Sequence, residues 1–332
     1  MIDIHLYDVT LRDGNHALRH KLSSQFIRKY CEQADQSGVW AVEVGHGNGL
    51  GASSHLVGKS VESDAELLIT ARESLKKAKL AVHSIPGFAT IKRDLLPALD
   101  LGVEIFRVAT HVSEADVSKK HIEFLANKNA IVHGVLMMSH MIDISGLLHQ
   151  VKLMKSYGAS AIILMDSAGY LTPIDVSERV SAIKNKFETE VGFHAHNNLG
   201  LGVGNALSAI GQGASLIDGA SMGLGAGAGN AQLEHIVAAG TREFSFDIEI
   251  YQFLEMSKLV ESSYPDELPR ISSSSTQSGL AGVFSGYAPQ VKAISQELGL
   301  DTNSLWKEMA NRKLVAGQES MIREIAQDLM NL

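Results

Sequence analysis

Short apolar runs alternate regularly with longer amphipathic segments through most of this 332-residue chain. The runs are rich in β-branched and aromatic residues and have the length of buried strands. Eight of them occur, at 4–10, 41–46, 80–85, 105–110, 131–138, 161–166, 191–196 and 215–222. Eight strands alternating with eight helices over about 240 residues are typical of a (β/α)8 barrel, which takes about 250. The sequence therefore predicts an α/β fold built on a TIM barrel.

A doubly wound open sheet is the structural alternative to the barrel. We favour the barrel because the first strand is not followed by the G-x-G-x-x-G turn of dinucleotide-binding sheets. Helical patterns recur evenly at 25–36, 64–77, 115–127, 145–156, 174–186 and 201–211. Expected N-caps are Ser24, Ser113 and Asp143, and glycines expected just after helices are Gly38, Gly102, Gly158 and Gly213.

The strand pattern stops at about Tyr251. Beyond it, Leu, Ile, Val and Met recur at helical spacing up to Met330, around a loop at 265–278 that is rich in serine and proline. We therefore expect two domains, a barrel over residues 1–250 and a C-terminal helical domain over residues 251–332.

Composition narrows the classes of partner. A net charge of −8 and a pI near 6.0 disfavour nucleic acid and anionic membranes, which attract basic surfaces. No apolar run reaches the ~20 residues of a membrane helix, and the N-terminus does not have the pattern of a signal peptide. The single Cys31 excludes an intramolecular disulfide and a cysteine-cluster metal site. We expect a cytoplasmic protein.

The sharpest chemical motif is the pair His194 and His196 in the seventh predicted strand. Residues two apart in a strand point to the same side, so both imidazoles can reach one cation. Asp13, after the first strand, is the expected carboxylate, and such a set with open positions suits Mn²⁺, Fe²⁺ or Mg²⁺. The alternative is that the histidines bond to backbone carbonyls and that Asp13, followed by glycine, forms a turn.

Two basic residues flank Asp13. Arg12 can hold a carboxylate or an enolate through paired N–H groups, and its alternative role is an ion pair with Asp13 or Glu43. His16 has the side chain of a general base that works near neutral pH. A lone histidine is more often structural or exposed, so this role depends on its neighbours.

A glycine-dense stretch at 219–230 follows the eighth strand. It lacks the GK[ST] ending of a phosphate-binding P-loop, so we expect a loop that approaches closely over the barrel mouth. Asn230 at its end can offer an oxygen to a metal ion or cap the following helix, and we favour the cap.

Several stretches together resemble one family. The T-L-R-D-G run and the H-A-H pair are specific for a superfamily of metallolyases, which includes 3-hydroxy-3-methylglutaryl-CoA lyase and isopropylmalate synthase. ATH…EADVSK and MMSHM resemble its 4-hydroxy-2-oxoacid (4-hydroxy-2-oxovalerate) aldolase branch. The resemblance covers essentially the whole chain and is carried by residues 8–20, 107–124, 136–141, 165–169, 192–203, 222–234, 279–285 and 317–322.

The resemblance implies cleavage of 4-hydroxy-2-oxo acids, such as 4-hydroxy-2-oxopentanoate, to pyruvate and an aldehyde, as in aromatic hydrocarbon catabolism. It implies Mn²⁺, or Mg²⁺ or Co²⁺, held by Asp13, His194 and His196. It also implies that the helical domain contacts an acylating aldehyde dehydrogenase, and we expect an oligomer. Matching positions assign enolate stabilisation to Arg12, acid–base catalysis to His16 and substrate contacts to Ser167 and His194.

One position departs from the family pattern. The family carries a tyrosine in a GYAGVY stretch, whereas this chain reads GLAGVF with Phe284 in that place. Phenylalanine neither donates nor accepts a proton, and Tyr287 is a candidate substitute if the segment is helical. The segment around His83 and Ile85 is also less apolar than in degradative members. The aldehyde and its stereochemistry therefore stay open.

Two other classes of function compete with the aldolase. A carbon–carbon lyase or Claisen-type synthase of a biosynthetic pathway, acting on an acyl-CoA, would carry a catalytic Cys or Glu after the eighth strand. The sequence has no Cys there. A non-catalytic subunit that scaffolds a dehydrogenase would not need the set Arg12, Asp13, His16, His194 and His196.

Overall fold

The computed structural model describes residues 4–315 and 318–331. Some residues of the segments predicted above lie outside the described residues. They are residues 1–3 and 332, at the ends of the two expected domains, and residue 317, at the start of the stretch 317–322.

Eight parallel strands close into a barrel in which each strand pairs with its neighbours in sequence and the last pairs with the first. The strands are β1 (His5–Asp8), β2 (Ala41–Glu43), β3 (Lys79–Ser84), β4 (Ile105–His111), β5 (Ile131–Met137), β6 (Ala161–Asp166), β7 (Glu190–Ala195) and β8 (Leu216–Gly219). The predicted TIM barrel is confirmed, and the open sheet is excluded because a closed barrel has no edge strands.

Helices lie between the strands and after the barrel. In the described ranges the α-helices are α1 (Gly14–Ala17), α2 (Ser24–Ser37), α3 (Asp64–Ser74), α4 (Leu96–Asp100), α5 (Lys119–Asn127), α6 (Ile144–Tyr157), α7 (Pro173–Lys186), α8 (Gly202–Gly211), α9 (Leu233–Phe244), α10 (Ile250–Ser263), α11 (Ser273–Ala281), α12 (Ala288–Leu298), α13 (Thr302–Asn311) and α14 (Glu319–Met330). Short turns of 3-10 helix precede α5, α6, α9 and α12. In this part of the chain, no helix has both the length and the apolar character needed to cross a membrane.

The helix caps follow local sequence, with two corrections. Ser113 does not cap a helix, because its hydroxyl contacts Nδ1 of His111, and the 3-10 turn before α5 begins after Glu114 without a side-chain cap. Ser23, not Ser24, caps α2, because Ser23 has extended backbone and its hydroxyl accepts from the N–H three residues on, whereas Ser24 is already helical. The expected cap Asp143 is confirmed by the same kind of contact at the start of α6. All four expected glycines have a positive φ: Gly38, Gly102, Gly158 and Gly213.

Helix α3 ends at Ser74 rather than at the expected residue 77. A carboxylate oxygen of Asp35 accepts the backbone N–H groups of Lys76, Lys77 and Ala78 at 2.6–2.9 Å. These three amides are therefore bound by a side chain of α2 and do not continue the helical ladder.

The inward side chains of the strands change from apolar to charged towards the barrel mouth. Apolar residues fill the interior as a separate buried cluster that includes Tyr7, Ala41, Ala81, Ile105, Val135, Ile163 and Leu216. Two residues further along their strands, Glu43, Arg107 and Asp218 are also buried. Because the carboxyl ends of all eight strands meet at one face, these charges converge there.

The C-terminal helices have an apolar core of their own. Trp306, Leu305, Ile322 and their neighbours form a cluster separate from the barrel. Helix α10, by contrast, buries Phe253 in the cluster that surrounds the barrel. The division between residues 250 and 251 stays a prediction.

Candidate active site

Three buried side chains meet at the barrel mouth. Asp13 lies just before α1, His194 lies in β7 and His196 follows its end. Each offers one nitrogen or carboxylate oxygen, and these atoms lie within 4.8 Å of one another. The two histidine Nε2 atoms are 3.4 Å apart. The structure thus brings together the three residues that the sequence pattern predicts as ligands.

The protonation states of this group follow from burial and neighbouring charge. Burial alone would raise the pKa of the Asp13 carboxyl, but the Arg12 guanidinium and the nearby imidazoles hold that pKa well below its usual range. Burial lowers the pKa of His196 to about 4, against the opposing effect of Asp13. At neutral pH the site therefore presents a carboxylate and a neutral imidazole, the forms in which these side chains bind metal ions.

The donor set fits a divalent ion. In the described ranges, Nδ1 of His196, Nη2 of Arg12 and Oδ1 of Asn230 are buried without a hydrogen-bond partner. Buried polar atoms normally have partners, so unpartnered atoms around two imidazoles and a carboxylate are what a site for a metal ion and an anionic ligand presents. Nitrogen and oxygen ligands of this kind suit Mn²⁺ and related ions.

Arg12 is fixed by three acceptors. Its Nε donates to Glu43 at 2.5 Å, and its Nη1 donates to Asp13 at 2.6 Å and to the Gly47 carbonyl at 3.2 Å. Both ion pairs given above as its alternative role are present. They hold the guanidinium in one orientation and leave its Nη2 group unpartnered.

His16 lies in α1 with its ring against the backbone of Gly47. A Cβ at Gly47 would lie 2.6 Å from three ring atoms, so another residue would fit there only if the His16 ring moved. Burial lowers the pKa of His16, with Asp13 acting against this and Arg12 reinforcing it. A neutral, partly exposed imidazole at the mouth can accept a proton from a bound molecule.

Asn230 does not cap a helix, and the expectation that it does is wrong. The cap of α9 is Gln232. The amide of Asn230 instead donates to Asp13 at 2.7 Å and to the Leu224 carbonyl at 3.0 Å. It turns inward because the preceding loop folds back over the mouth, and it therefore fixes the second oxygen of Asp13.

The glycine-dense loop approaches the site as closely as expected. A Cβ at Gly225 would lie 2.2 Å from the amide nitrogen of Asn230 and 2.6 Å from a carboxylate oxygen of Asp13. No other residue type fits at this position without moving one of these two side chains.

Ser167 lies at the mouth, directly after β6, and is buried. Its hydroxyl oxygen accepts the Met138 N–H at 3.0 Å. A serine hydroxyl that accepts one bond still carries a hydrogen to donate, so Ser167 can bind an anionic oxygen.

Phe284 and Tyr287 lie in the connection between α11 and α12. This connection touches the glycine-dense loop, since a Cβ at Gly227 would overlap the Ser285 side chain. Phe284 is partly exposed, with its ring edge-on to Tyr287 at 5.7 Å. The Tyr287 hydroxyl donates to the Val315 carbonyl at 2.5 Å. The role of Tyr287 as a stand-in for the family tyrosine stays a prediction, with its hydroxyl already bound within the helical cluster.

Sequence reasoning missed Asp218 in β8. Its carboxylate accepts from Nδ1 of His194 at 2.8 Å and pairs with Arg107. The available signal was a charged residue at an inward position of a buried strand, two residues after Leu216. Only barrel closure shows which histidine it faces.

Two family descriptions match successive parts of this chain. The family description "HMGL-like" matches residues 3–260, and "DmpG-like communication domain" matches residues 269–331. A 4-hydroxy-2-oxovalerate aldolase of Pectobacterium atrosepticum is 49% identical over 325 residues, which are 98% of this chain and 95% of the relative. One from Spirochaeta aurantia is 48% identical over 323 residues, 97% and 95% of the two chains.

Solved structures of lower identity share the fold. The N-terminal domain of a putative aldolase from Bacteroides vulgatus has a TM-score of 0.77 at 22% identity, over 89% of this chain and 98% of that one. The carboxyl transferase domain of Rhizobium etli pyruvate carboxylase has a TM-score of 0.83 at 17% identity, over 98% and 60% of the two chains.

Fold and relatives together define the class of the protein as a TIM-barrel enzyme of the lyase type. The chain belongs to the HMGL-like family, carries a DmpG-like communication domain after the barrel and is similar to 4-hydroxy-2-oxovalerate aldolases over almost its whole length.

Proposed function

We propose that this protein is a divalent-metal-dependent, class II pyruvate aldolase that cleaves 4-hydroxy-2-oxo acids to pyruvate and an aldehyde. The observation that carries the proposal is the buried group Asp13, His194 and His196 with the unpartnered Nη2 of Arg12 beside it. The names of the relatives support the substrate class.

Asp13, His194 and His196 are the proposed ligands of Mn²⁺, with Mg²⁺ or Co²⁺ as alternatives. When bound, such an ion supplies a Lewis acid that polarises the C2 carbonyl of a 2-oxo acid. Asn230 and Arg12 hold the two oxygens of Asp13. These contacts fix the orientation of the Asp13 carboxylate, which would hold the ion together with the two imidazoles.

Arg12 and Ser167 are the proposed anchors of the 2-oxo acid. Arg12 offers its Nη2 group to the oxygen that gains negative charge as the C3–C4 bond breaks. Its contact with Glu43 prevents the guanidinium from following that charge, so the donor is already oriented before the reaction. Ser167 offers its hydroxyl hydrogen to the substrate carboxylate.

His16 is the proposed acid–base residue. It removes the proton of the C4 hydroxyl, and the C3–C4 bond then breaks. The electron pair of that bond gives the enolate of pyruvate, and C4 leaves as the carbonyl carbon of the aldehyde. The proton is then delivered to C3, so that pyruvate leaves and His16 is again neutral. Phe284 contributes an apolar surface near the glycine-dense loop and not a proton.

Metal removal tests the proposal directly. The enzyme is stripped with a chelator, and pyruvate release from a panel of 4-hydroxy-2-oxo acids is followed before and after addition of Mn²⁺. We expect activity to be lost on stripping and restored by the ion, and His194→Ala to stay folded but to lose both metal and activity. Full turnover by thoroughly stripped enzyme would refute the metal role, and no pyruvate from any substrate would refute the aldolase.

We further propose that residues 269–331 bind an acylating aldehyde dehydrogenase that consumes the aldehyde. The support is the match to a communication domain and the exposure of two apolar residues, Leu280, which is 75% exposed, and Ile271. Leu280→Glu is expected to weaken co-elution with such a dehydrogenase in size-exclusion chromatography and to leave pyruvate release unchanged. Equal co-elution of variant and wild type would place the contact elsewhere.

A further inference from the structure

A continuous set of buried charges lies directly beneath the proposed ligands. Arg107 in β4 contacts Asp218 of β8 through Nη2 and lies 3.0 Å from Glu43 of β2 through Nη1. All three side chains are at most 1% exposed. Asp218 also contacts His194, and Glu43 also contacts Arg12. Arg107 therefore joins the support of one proposed ligand to the support of the proposed substrate anchor.

The contact between Asp218 and His194 determines where the imidazole carries its hydrogen. The Asp218 oxygen is 2.8 Å from Nδ1 of His194, and an ionised carboxylate only accepts hydrogen bonds. Nδ1 must then be the donor. In a neutral imidazole this leaves the lone pair on Nε2, the atom that lies 3.4 Å from Nε2 of His196.

Arg107 keeps this carboxylate in place. Burying a carboxylate without a cation lowers the stability of the folded protein. Arg107 supplies the cation, at hydrogen-bond distance from Asp218. The guanidinium also lies over the Tyr7 ring, 5.0 Å from its centroid. The Tyr7 hydroxyl in turn contacts Nδ1 of His133 at 3.0 Å, so Arg107 is enclosed by the barrel interior.

We propose that Asp218 is a positioning residue that holds His194 in the Nδ1–H tautomer and orientation needed to bind the divalent ion, and that Arg107 holds Asp218 for this task. The inference rests on the metal site of the proposed function. A purely structural role for Asp218 predicts lower stability alone, whereas a positioning role predicts weaker metal binding by protein that is still folded.

The test compares two isosteric substitutions of buried strand carboxylates. Asp218→Asn keeps the shape of the side chain and removes its charge. Asp8→Asn is the matched control, since Asp8 is equally buried and accepts from Tyr30 and the Thr10 N–H without touching a proposed ligand. Mn²⁺ affinity of the full-length proteins is measured by competition with a chelating dye, and circular dichroism verifies the fold.

We expect Asp218→Asn to bind Mn²⁺ about 10- to 100-fold more weakly and Asp8→Asn to bind it like wild type. Unchanged affinity in Asp218→Asn, or an equal loss in both variants, would overturn the inference. Wild-type protein that binds no divalent ion would instead refute the proposed function, so the two failures are distinguishable.

A second measurement uses the wild-type protein, so it does not depend on whether a variant of Asp218 folds. ¹⁵N-histidine NMR of metal-free wild type at neutral pH reports the tautomer of each imidazole, with His194→Gln used to assign the signal. We expect an Nδ1–H imidazole at His194. An Nε2–H tautomer there would overturn the inference whatever the Asp218 variants do.

Discussion

His16 and Arg12 differ in how they are held, and this difference separates their roles. Arg12 has three acceptors that fix its guanidinium. His16 instead lies against the backbone of Gly47 and stays partly exposed, with a lowered pKa caused mainly by burial. A fixed cation suits charge stabilisation, and a neutral imidazole open to the mouth suits proton transfer.

The His16→Ala variant is expected to lose turnover and to keep its metal. Removal of a positioned general base costs about 10²–10⁴ in rate, and His16 is not among the three proposed ligands. Steady-state pyruvate release and Mn²⁺ titration measure the two effects, with His55→Ala at an exposed position as control. A rate within a few-fold of wild type would assign proton transfer to another group.

Phe284→Tyr adds a hydroxyl where the resembling family has one. A neutral hydrogen bond to the substrate is worth about 0.5–1.5 kcal/mol. We therefore expect a rise of about 2- to 10-fold in cleavage of 4-hydroxy-2-oxopentanoate, or a sharper preference for one C4 configuration. Assays with the separated enantiomers measure both. If neither changes and Tyr287→Phe abolishes turnover, Tyr287 carries the role.

At the scale of elements, the glycine-dense loop after β8 can lie close to Asp13 and Asn230 because its glycines have no side chain. Gly225→Ala would place a methyl group against Asn230 and Asp13. We expect this variant to fold and to lose Mn²⁺ affinity, because Asp13 must move. The matched control is Gly204→Ala in α8, where nothing lies within 4 Å of the added Cβ.

Gly204→Ala should leave metal affinity unchanged and raise stability by about 0.4–1 kcal/mol, since it restricts the unfolded chain. Chelator competition and thermal unfolding distinguish the pair. Equal metal affinity in both alanine variants would show that the loop is not a close support of Asp13.

In the loop between β2 and α3, a histidine is expected to make the stability of the folded protein depend on pH. His46 bonds through Nε2 to the Gly58 carbonyl and through Nδ1 to the Asn48 N–H, and its ring stacks on His20 at 3.6 Å. Burial lowers the pKa of His20 to about 3 and that of His46 to about 4. His20, which lies between α1 and α2, and His46 are therefore both neutral in the folded protein.

Below pH ~6.5 the unfolded chain binds protons that these folded imidazoles do not. Stability is therefore complete above that pH and falls as the pH decreases, towards about 4 for the contribution of His46 and towards about 3 for that of His20. His46→Gln should reduce this loss, by up to about 1.4 kcal/mol per pH unit for one proton. Urea unfolding at pH 7 and pH 5 measures it, with exposed His55→Gln as control. Parallel pH profiles of wild type and His46→Gln would contradict the expectation.

At the scale of the whole molecule, hydrogen bonds connect the C-terminal helices to the barrel mouth. The Asn198 amide, two residues beyond His196, donates to the Ser275 carbonyl at 3.1 Å and to the Ser278 hydroxyl at 2.9 Å. His140 adds a contact with the Gly282 carbonyl at 3.0 Å. The segment that carries a proposed ligand is thereby tied to α11.

Asn198→Ala is expected to loosen α11 without unfolding the barrel. It removes two hydrogen bonds, each worth about 1 kcal/mol. Hydrogen–deuterium exchange should become faster in α11 and stay unchanged in α9, and exposed Asn303→Ala should change neither. Unchanged exchange in α11 would mean that the apolar contacts of the helix hold it by themselves.

The sequence by itself determined the barrel and the proposed ligand group. Strand and helix periodicities are local properties, and eight alternations leave few other folds. The spacing of His194 and His196 puts both on one side of a strand in any sheet. Asp13 follows another strand at its carboxyl end, so its approach to them required only that the barrel close.

Only the tertiary structure decided which side chains support this group. Asp218 and His194 are on different strands, and their contact depends on the register of β7 against β8. The fold of the glycine-dense loop turned Asn230 towards Asp13 and away from the helix it was expected to cap. Such contacts join residues far apart in sequence, and no local pattern encodes them because their geometry exists only once the barrel has closed.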